Sequence, residues 1–231
     1  MSRESARSPD LPANETLVQQ LLESVDRGPG RYLLGIVGPP GAGKSTVAAG
    51  LEDAANARRG SGFAAVAPLD GFHLSNEQLD ELGLRKVKGA PETFDVEGFV
   101  LLLERVRREL ESTIFWPGFN RAIEETVPGA IRITAWTRLV VCEGNYLLLD
   151  RPGWRDVRRL LDAAWYVDAP RLVLRERLLE RALAGGRTEE EAVWHVDEND
   201  LRNADLVAAT KSAADRLLDL ATDGSSGVVG A

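Results

Sequence analysis

The sequence predicts an α/β fold with a mostly parallel sheet and helices on both faces. Three observations carry this reading. Short, continuous apolar runs rich in Val, Leu and Ala recur along the chain. They lack the alternation of a half-solvated strand and suit strands buried on both faces. Between them stand segments with apolar residues at helical spacing, the pattern of crossovers in a parallel sheet. The 231 residues suffice for one domain with a sizeable core.

In chain order, residues 1–13 read as a disordered N-terminus and residues 223–231 as a disordered tail, leaving 14–222 as a single domain. "NETLVQQLLESVDR" is a first helix, with Asn14 as candidate N-cap and Gly28-Pro29-Gly30 as its stop. "YLLGIV" is a buried strand, "GKSTVAAGLEDAANA" a helix, and "FAAVAPL" a second strand closed by Asp70. In "DVEGFVLLLERVRREL", Val96, Phe99, Leu103, Val106 and Leu110 recur at helical steps and Asp95 can cap the start. "STIFWPGFN" and "AIRITAW" read as short strands or an excursion from the main sheet. "RLVVCEG" and "AAWYVDA" are further buried strands. "RLVLRERLLERALAGG" and "TEEEAVWHVDEND" are helices broken at Gly185-Gly186. "ADLVAAT" reads as a last strand and "SAADRLLDLA" as a last helix.

Composition narrows the function. With a net charge of −8, the chain suits neither non-specific nucleic-acid binding nor an anionic membrane surface. No apolar run is long enough to span a bilayer, and "MSRESARSPD" has no apolar core of a secretory signal. A cytoplasmic protein is expected. Cys142 is the only cysteine, and His73 and His195 are the only histidines, so neither an internal disulfide nor a Cys/His zinc site is expected. Lysine is scarce, with only Lys44, Lys86, Lys88 and Lys211.

The strand "YLLGIV" runs into "GPPGAGKST", residues Gly38, Pro39, Pro40, Gly41, Ala42, Gly43, Lys44, Ser45 and Thr46, and a helix follows. This matches the phosphate-binding P-loop in its required strand-loop-helix context. Gly41 and Gly43 let the backbone wrap close to phosphate oxygens, and the exposed N–H groups and helix N-terminus favour negative charge. Lys44 supplies an ammonium to the β- and γ-phosphates, and the Ser45 hydroxyl can ligate Mg²⁺. The expected architecture is a three-layer P-loop NTPase sandwich using ATP and Mg²⁺. Two further strands, "VAPLD" and "LVVCE", each deliver a carboxylate followed by glycine: Asp70 and Glu143. Each alone also reads as a turn. Strand ends of open α/β sheets carry ligands, so both carboxylates belong on the P-loop side, as metal or catalytic groups.

"LDGFHLSN", "KGAPETFD", "PGFN" and "CEGNYLLLD", in this order after the P-loop, resemble the superfamily of uridine kinase, phosphoribulokinase and bacterial pantothenate kinase. The likeness is greatest to its bacterial branch of nucleoside- or fructose-kinase-like proteins and covers roughly residues 30 to 220. It implies Asp70 as catalytic base beside Lys44, and Glu143 with Ser45 and Asp70 at Mg²⁺. It also implies an arginine-bearing helical lid at about 171–200. "LLERALAGGR" lacks the Arg-Asp pair common before the glycine turn. Which of Arg175, Arg177, Arg181 or Arg187 reaches phosphate therefore stays open, with Arg177, Arg181 and Arg187 the candidates in the nucleotide site. His73, Lys88, Phe119, Arg121 and Tyr146 lie in motifs expected to face the acceptor.

The resemblance implies a kinase that moves the γ-phosphate of ATP to a hydroxyl of a small metabolite. A nucleoside or sugar leads, with a pantothenate-like compound as alternative. A regulatory nucleotide-binding ATPase module is the alternative of another class, although no guanine-reading N-K-x-D motif is present. The expected partner is the small-molecule substrate, with no nucleic acid or membrane; a homodimer stays open. Trp116, Trp136, Trp154, Trp165 and Trp194 are candidates for base stacking or for packing.

Overall fold

A computed structural model describes residues 15–219. The expected disordered ends and the Asn14 cap lie outside those residues. Five strands form the main sheet in the order β2-β5-β1-β6-β7: β1 Tyr32–Val37, β2 Ala64–Pro68, β5 Leu139–Gly144, β6 Ala163–Asp168 and β7 Arg216–Asp219. Every pairing within it is parallel. The remaining strands, β3 Ile114–Asn120 and β4 Glu125–Ile133, form a separate antiparallel ribbon.

Strand β1 shows why the runs are continuously apolar. Leu33 and Val37 belong to one core, whereas Leu34 and Ile36 belong to the other. Alternate side chains of one strand thus fill both layers. The first core takes α4 Val96–Arg108 and α5 Trp154–Leu160; the second takes α1 Glu15–Asp26, α2 Lys44–Arg59 and α6 Arg171–Ala184. Helix α4 buries Phe99, Leu103 and Val106, and Asp95 caps it by accepting from Gly98 N at 2.9 Å. Trp116 carries the ribbon into the first core, edge-on to Phe72 and Phe99. Its truncation to Ala would cost about 3–5 kcal/mol. Buried Arg31 joins these parts, donating to the carbonyls of Val106 in the last turn of α4, of Glu109 and Leu110 just beyond it, and of Thr134 and Thr137 before β5.

Two expectations at the C-terminal end are corrected. "ADLVAAT" is not a strand; it lies largely in α8 Leu201–Ala208, which buries Leu201, Ala204 and Val207 at three-residue steps. "SAADRLLDLA" is not a helix; within it Arg216–Asp219 is β7, paired with β6. Asp215 starts that strand by exchanging hydrogen bonds with Ala164: its backbone N–H donates to the Ala164 carbonyl, and its carboxylate accepts from Ala164 N. The short α3 spans Asn76–Glu81, and the glycine break separates α6 from α7 Glu189–His195. Between α7 and α8 the chain widens into a π-helical turn, Val196–Asp200. No helix among the described residues is long and apolar enough to cross a membrane.

Candidate active site

The strand order reverses at β1, whose neighbours are β5 and β6. Crevices at such a switch point, beyond the carboxyl ends of the strands, bind ligands. The P-loop leaves β1 there. Gly41 and Gly43 have φ of 82° and 95°, a backbone that side-chain-bearing residues resist. Gly38 approaches β6 so closely that a Cβ would sit 2.4 Å from the Val167 carbonyl oxygen. Ala42 is buried, and its N–H donates to Pro39 O.

Lys44 opens α2 and is buried; its ammonium donates to Pro39 O at 3.0 Å. Burial pushes the ammonium down to about 8, against the pull of Glu143 and Asp70. Ser45 Oγ donates to Glu143 Oε1 at 3.2 Å. The register explains the meeting: Glu143 pairs with Ile36 of β1 and with Pro68 of β2, so it ends the strand between them. Burial and the nearby Asp70 carboxylate raise the Glu143 pKa. A basic lysine and an acidic carboxyl, both disfavoured as ions by burial, suit a site that gains when a polyanion and a cation arrive.

Asp70 sits in one tight turn, Leu69–Phe72, directly after β2. Its glycine neighbour has a packing role. A Cβ on Gly71 would lie 2.2 Å from the Pro117 carbonyl oxygen of the ribbon. Gly144, after Glu143, is equally constrained: a Cβ there would lie 2.6 Å from Leu69 Cβ. The carboxylate-glycine pairs thus let two strand ends and the ribbon close on one another. Arg121, at the ribbon tip, donates to Asp70 Oδ2 at 2.9 Å.

These groups line one cavity of about 310 Å³: Gly41, Gly43, Lys44, Ser45, Thr46 and Asp70 with His73, Arg121, Glu143, Arg177 and Arg181. His73 stacks on Phe94 with centroids 3.9 Å apart, and burial pushes its imidazole down to about 4. It is therefore neutral near pH 7 and can exchange hydrogen bonds with an uncharged group. Phe119 lies behind it at 5.2 Å, and the Lys88 ammonium lies over that ring at 5.4 Å. Tyr146 is fully buried, and its hydroxyl donates to Gly89 O at 2.6 Å. It supports the cavity wall without facing the cavity.

The arginines separate by position. Helix α6 lies on the P-loop, where a Cβ on Gly41 would meet Leu178 and the Leu174 carbonyl. Arg177 donates to Gly41 O at 3.3 Å, and Arg181 lines the cavity from the next turn. Arg175 instead forms a two-pronged pair with Asp197. Arg187 lines a different cavity, beside Lys88.

Sequence reading missed Asp200 and Asn203. Both are buried and line the P-loop cavity, and Asn203 donates to Asn199, which donates to Lys88 O. The π-helical turn carries Asp200 there and the first turn of α8 carries Asn203; π turns recur at functional sites. The available signal was a polar set at helical spacing, 199, 200 and 203, within a segment whose other residues at that spacing are apolar. Asn145 and Phe94, also in the wall, lie inside motifs already singled out.

Comparison with known proteins agrees with this geometry. No family model matches the chain. A Schizosaccharomyces pombe protein named as a candidate uridine kinase is 35% identical over 217 residues, covering 91% of this chain and 92% of its own. The chain belongs to the uridine kinase-like P-loop kinases. A solved structure named as a candidate fructose transport system kinase, from Silicibacter sp. TM1040, is 40% identical. It matches with a TM-score of 0.80 over 88% of this kinase and 97% of that chain. YFH7 of Saccharomyces cerevisiae, at 21% identity and a TM-score of 0.78, shares the fold over 90% of this kinase and 98% of its own chain. The cradle, the buried Lys44 and the Ser45–Glu143 pair fit the ATP, with Mg²⁺, on which P-loop kinases act.

Proposed function

We propose that this kinase transfers the γ-phosphoryl group of ATP to a hydroxyl of a small metabolite, a nucleoside or a sugar. One observation carries the reading: Asp70, Lys44 and the Ser45–Glu143 pair line the same cavity. The bond between the γ-phosphorus and its bridging oxygen breaks, and a bond from that phosphorus to the acceptor oxygen forms. Asp70 takes the hydroxyl proton, and ADP leaves. General base action requires only that the carboxylate reach the hydroxyl.

The P-loop backbone N–H groups and Lys44 hold the phosphates, and Gly38, Pro39 and Ala42 shape that backbone. Ser45 and Glu143, with Asp70 close by, would hold Mg²⁺, which neutralises charge on the phosphates. Arg181, and Arg177 beside the loop, serve the transferred group electrostatically. Residues 171–200 act as a lid whose closure excludes water as a competing acceptor. His73 and Arg121 face the acceptor, and Phe119 backs His73. The single domain spans 14–222 and works in the cytoplasm.

The test is an ADP-release screen over nucleosides, sugars and pantothenate analogues. Stimulation by one acceptor, lost in Asp70→Asn, is the expected result. ADP release that no acceptor stimulates would leave a nucleotide-binding ATPase module as the better description.

A further inference from the structure

A second cavity, of about 540 Å³, stands beside the first. It is lined by Arg85, Lys86, Lys88, Arg187, Trp194 and His195, together with Glu124, Glu190 and Glu191. The two cavities share walls. Lys88 lines one and its neighbour Gly89 the other. His195 lines one and lies 3.7 Å from Asp200, which lines the other.

The charge in this cavity runs against the chain. The protein carries −8 overall and only the four lysines at 44, 86, 88 and 211. Two of those four, Lys86 and Lys88, meet here with two arginines. Lys88 is half-buried, and among the described residues its ammonium donates to neutral oxygens alone, Asn76 Oδ1 at 2.7 Å and Glu124 O at 2.7 Å. Arg85 is partly satisfied by Asp80. On the acidic side, the Glu191 carboxylate is committed to capping Thr188 through two hydrogen bonds. Within the cavity Glu124 and Glu190 face Lys86, Lys88 and Arg187, with Glu125 also acting on Lys88 and Asp200 and Glu191 on Arg187 from a distance. Arg187 also acts electrostatically on His195 and Asp200, which places its charge at the shared wall. Lys88 therefore has hydrogen-bond acceptors but no direct carboxylate partner among the described residues, and an arriving anion would stabilise such a half-buried cation.

We propose that this cavity is a subsite for an anionic group of the acceptor, a phosphate ester or a carboxylate, held by Lys88 and Arg187. The inference rests on the kinase reading above and adds an anionic group to the small metabolite that it takes as acceptor. Lys88 and His73 both lie against the ring of Phe119, at 5.4 and 5.2 Å from its centroid. A short metabolite can therefore offer its hydroxyl at Asp70 and its anion at Lys88. The exposed indole of Trp194 gives the apolar part of such a molecule a surface.

The experiment pairs neutral acceptors with charged counterparts: a hexose with its phosphate ester, a nucleoside with its monophosphate, and pantothenate with its alcohol. Anionic members should be preferred, and the preferred pair tells phosphate from carboxylate. Lys88→Ala should raise the KM of the anionic acceptor about tenfold to a hundredfold with a smaller change in kcat, the loss of one charge-assisted hydrogen bond. Arg187→Ala should act in the same direction and stands in if the first variant fails to fold. Equal use of the neutral members, or KM values that both variants leave unchanged, overturns the proposal. If no acceptor is active, inorganic phosphate is titrated calorimetrically into protein already filled with a non-hydrolysable ATP analogue. Phosphate binding that both substitutions weaken keeps the anion site although the kinase reading has failed. No binding, or binding that neither substitution alters, overturns the site.

Discussion

Arg121 Nη2 donates to Asp70 Oδ2 at 2.9 Å, joining the tip of the ribbon to the end of β2 across 51 residues of sequence. The pair is partly exposed, so it adds little to stability, about 1 kcal/mol at most. Its consequence is for chemistry, because it fixes the carboxylate at the mouth of the cavity. Asp70→Asn keeps size and hydrogen bonding but removes the proton acceptor. We expect kcat to fall by about 10²–10⁴-fold with nucleotide affinity nearly constant. Arg121→Ala should cost less, and the two changes together should cost less than their sum. Steady-state kinetics on the three variants checks this; an Asp70→Asn enzyme within a few-fold of wild type would leave Asp70 a turn residue.

Lys44 predicts proton uptake. Burial holds its ammonium at about 8, against 10.5 for an exposed lysine. Bound phosphates favour the charged form, so ATP binding at about pH 8.5 should draw a proton from buffer. Calorimetry in buffers of different ionisation enthalpy measures it, and Lys44→Met should abolish both the uptake and phosphoryl transfer. The same shift has a sign for folding. Between about 8 and 10.5 the unfolded chain binds more protons at Lys44 than the folded one, so this lysine alone makes stability rise with pH there. Pulse-proteolysis stability against pH should lose that component in Lys44→Met.

Glu143 predicts a pH-dependent magnesium requirement. Its carboxyl titrates above the ordinary range, chiefly through burial. A metal favours the carboxylate, so falling pH should raise the magnesium concentration needed for half-maximal rate. Glu143→Gln should need more magnesium at every pH and lose that slope, while metal-free nucleotide affinity changes less. Magnesium titrations that coincide for the two proteins would reduce Glu143 to a structural group.

The arginines predict a split within one helix. Arg181 lines the cavity, and Arg175 is spent on Asp197. Arg181→Ala should lower kcat about 10²–10³-fold, the usual cost of removing one stabiliser of transition-state charge. Arg175→Ala should stay within about tenfold, since it breaks a partly exposed pair that does not line the cavity. Hydrogen exchange with an ATP analogue should also show protection across residues 171–200. Unchanged exchange there would identify a rigid helix pair.

The sequence by itself determined whatever depends on neighbours in the chain. The P-loop is nine successive residues, and its strand-before, helix-after context is equally local. The Asp95 cap and the stripe of Phe99, Leu103 and Val106 depend on spacing within one helix. The carboxylates ending β2 and β5 were legible because strand ends mark the ligand side of a parallel sheet.

Only the tertiary structure decided what depends on partners far away in sequence. "ADLVAAT" has no clear period, and short apolar runs fit strand or helix equally. Continuation from the π-helical turn made it a helix. "RLLD" became a strand because β6 offered a free parallel edge with Asp215 and Ala164 in register. The placing of Tyr146 behind the wall, Arg175 on Asp197, and Arg187 beside Lys88 follows from packing between elements, which no local spacing encodes. The same holds for Asp200 and Asn203: the widened helical turn and the start of α8, set by how α6, α7 and α8 pack, carry these buried polar side chains to the P-loop cavity.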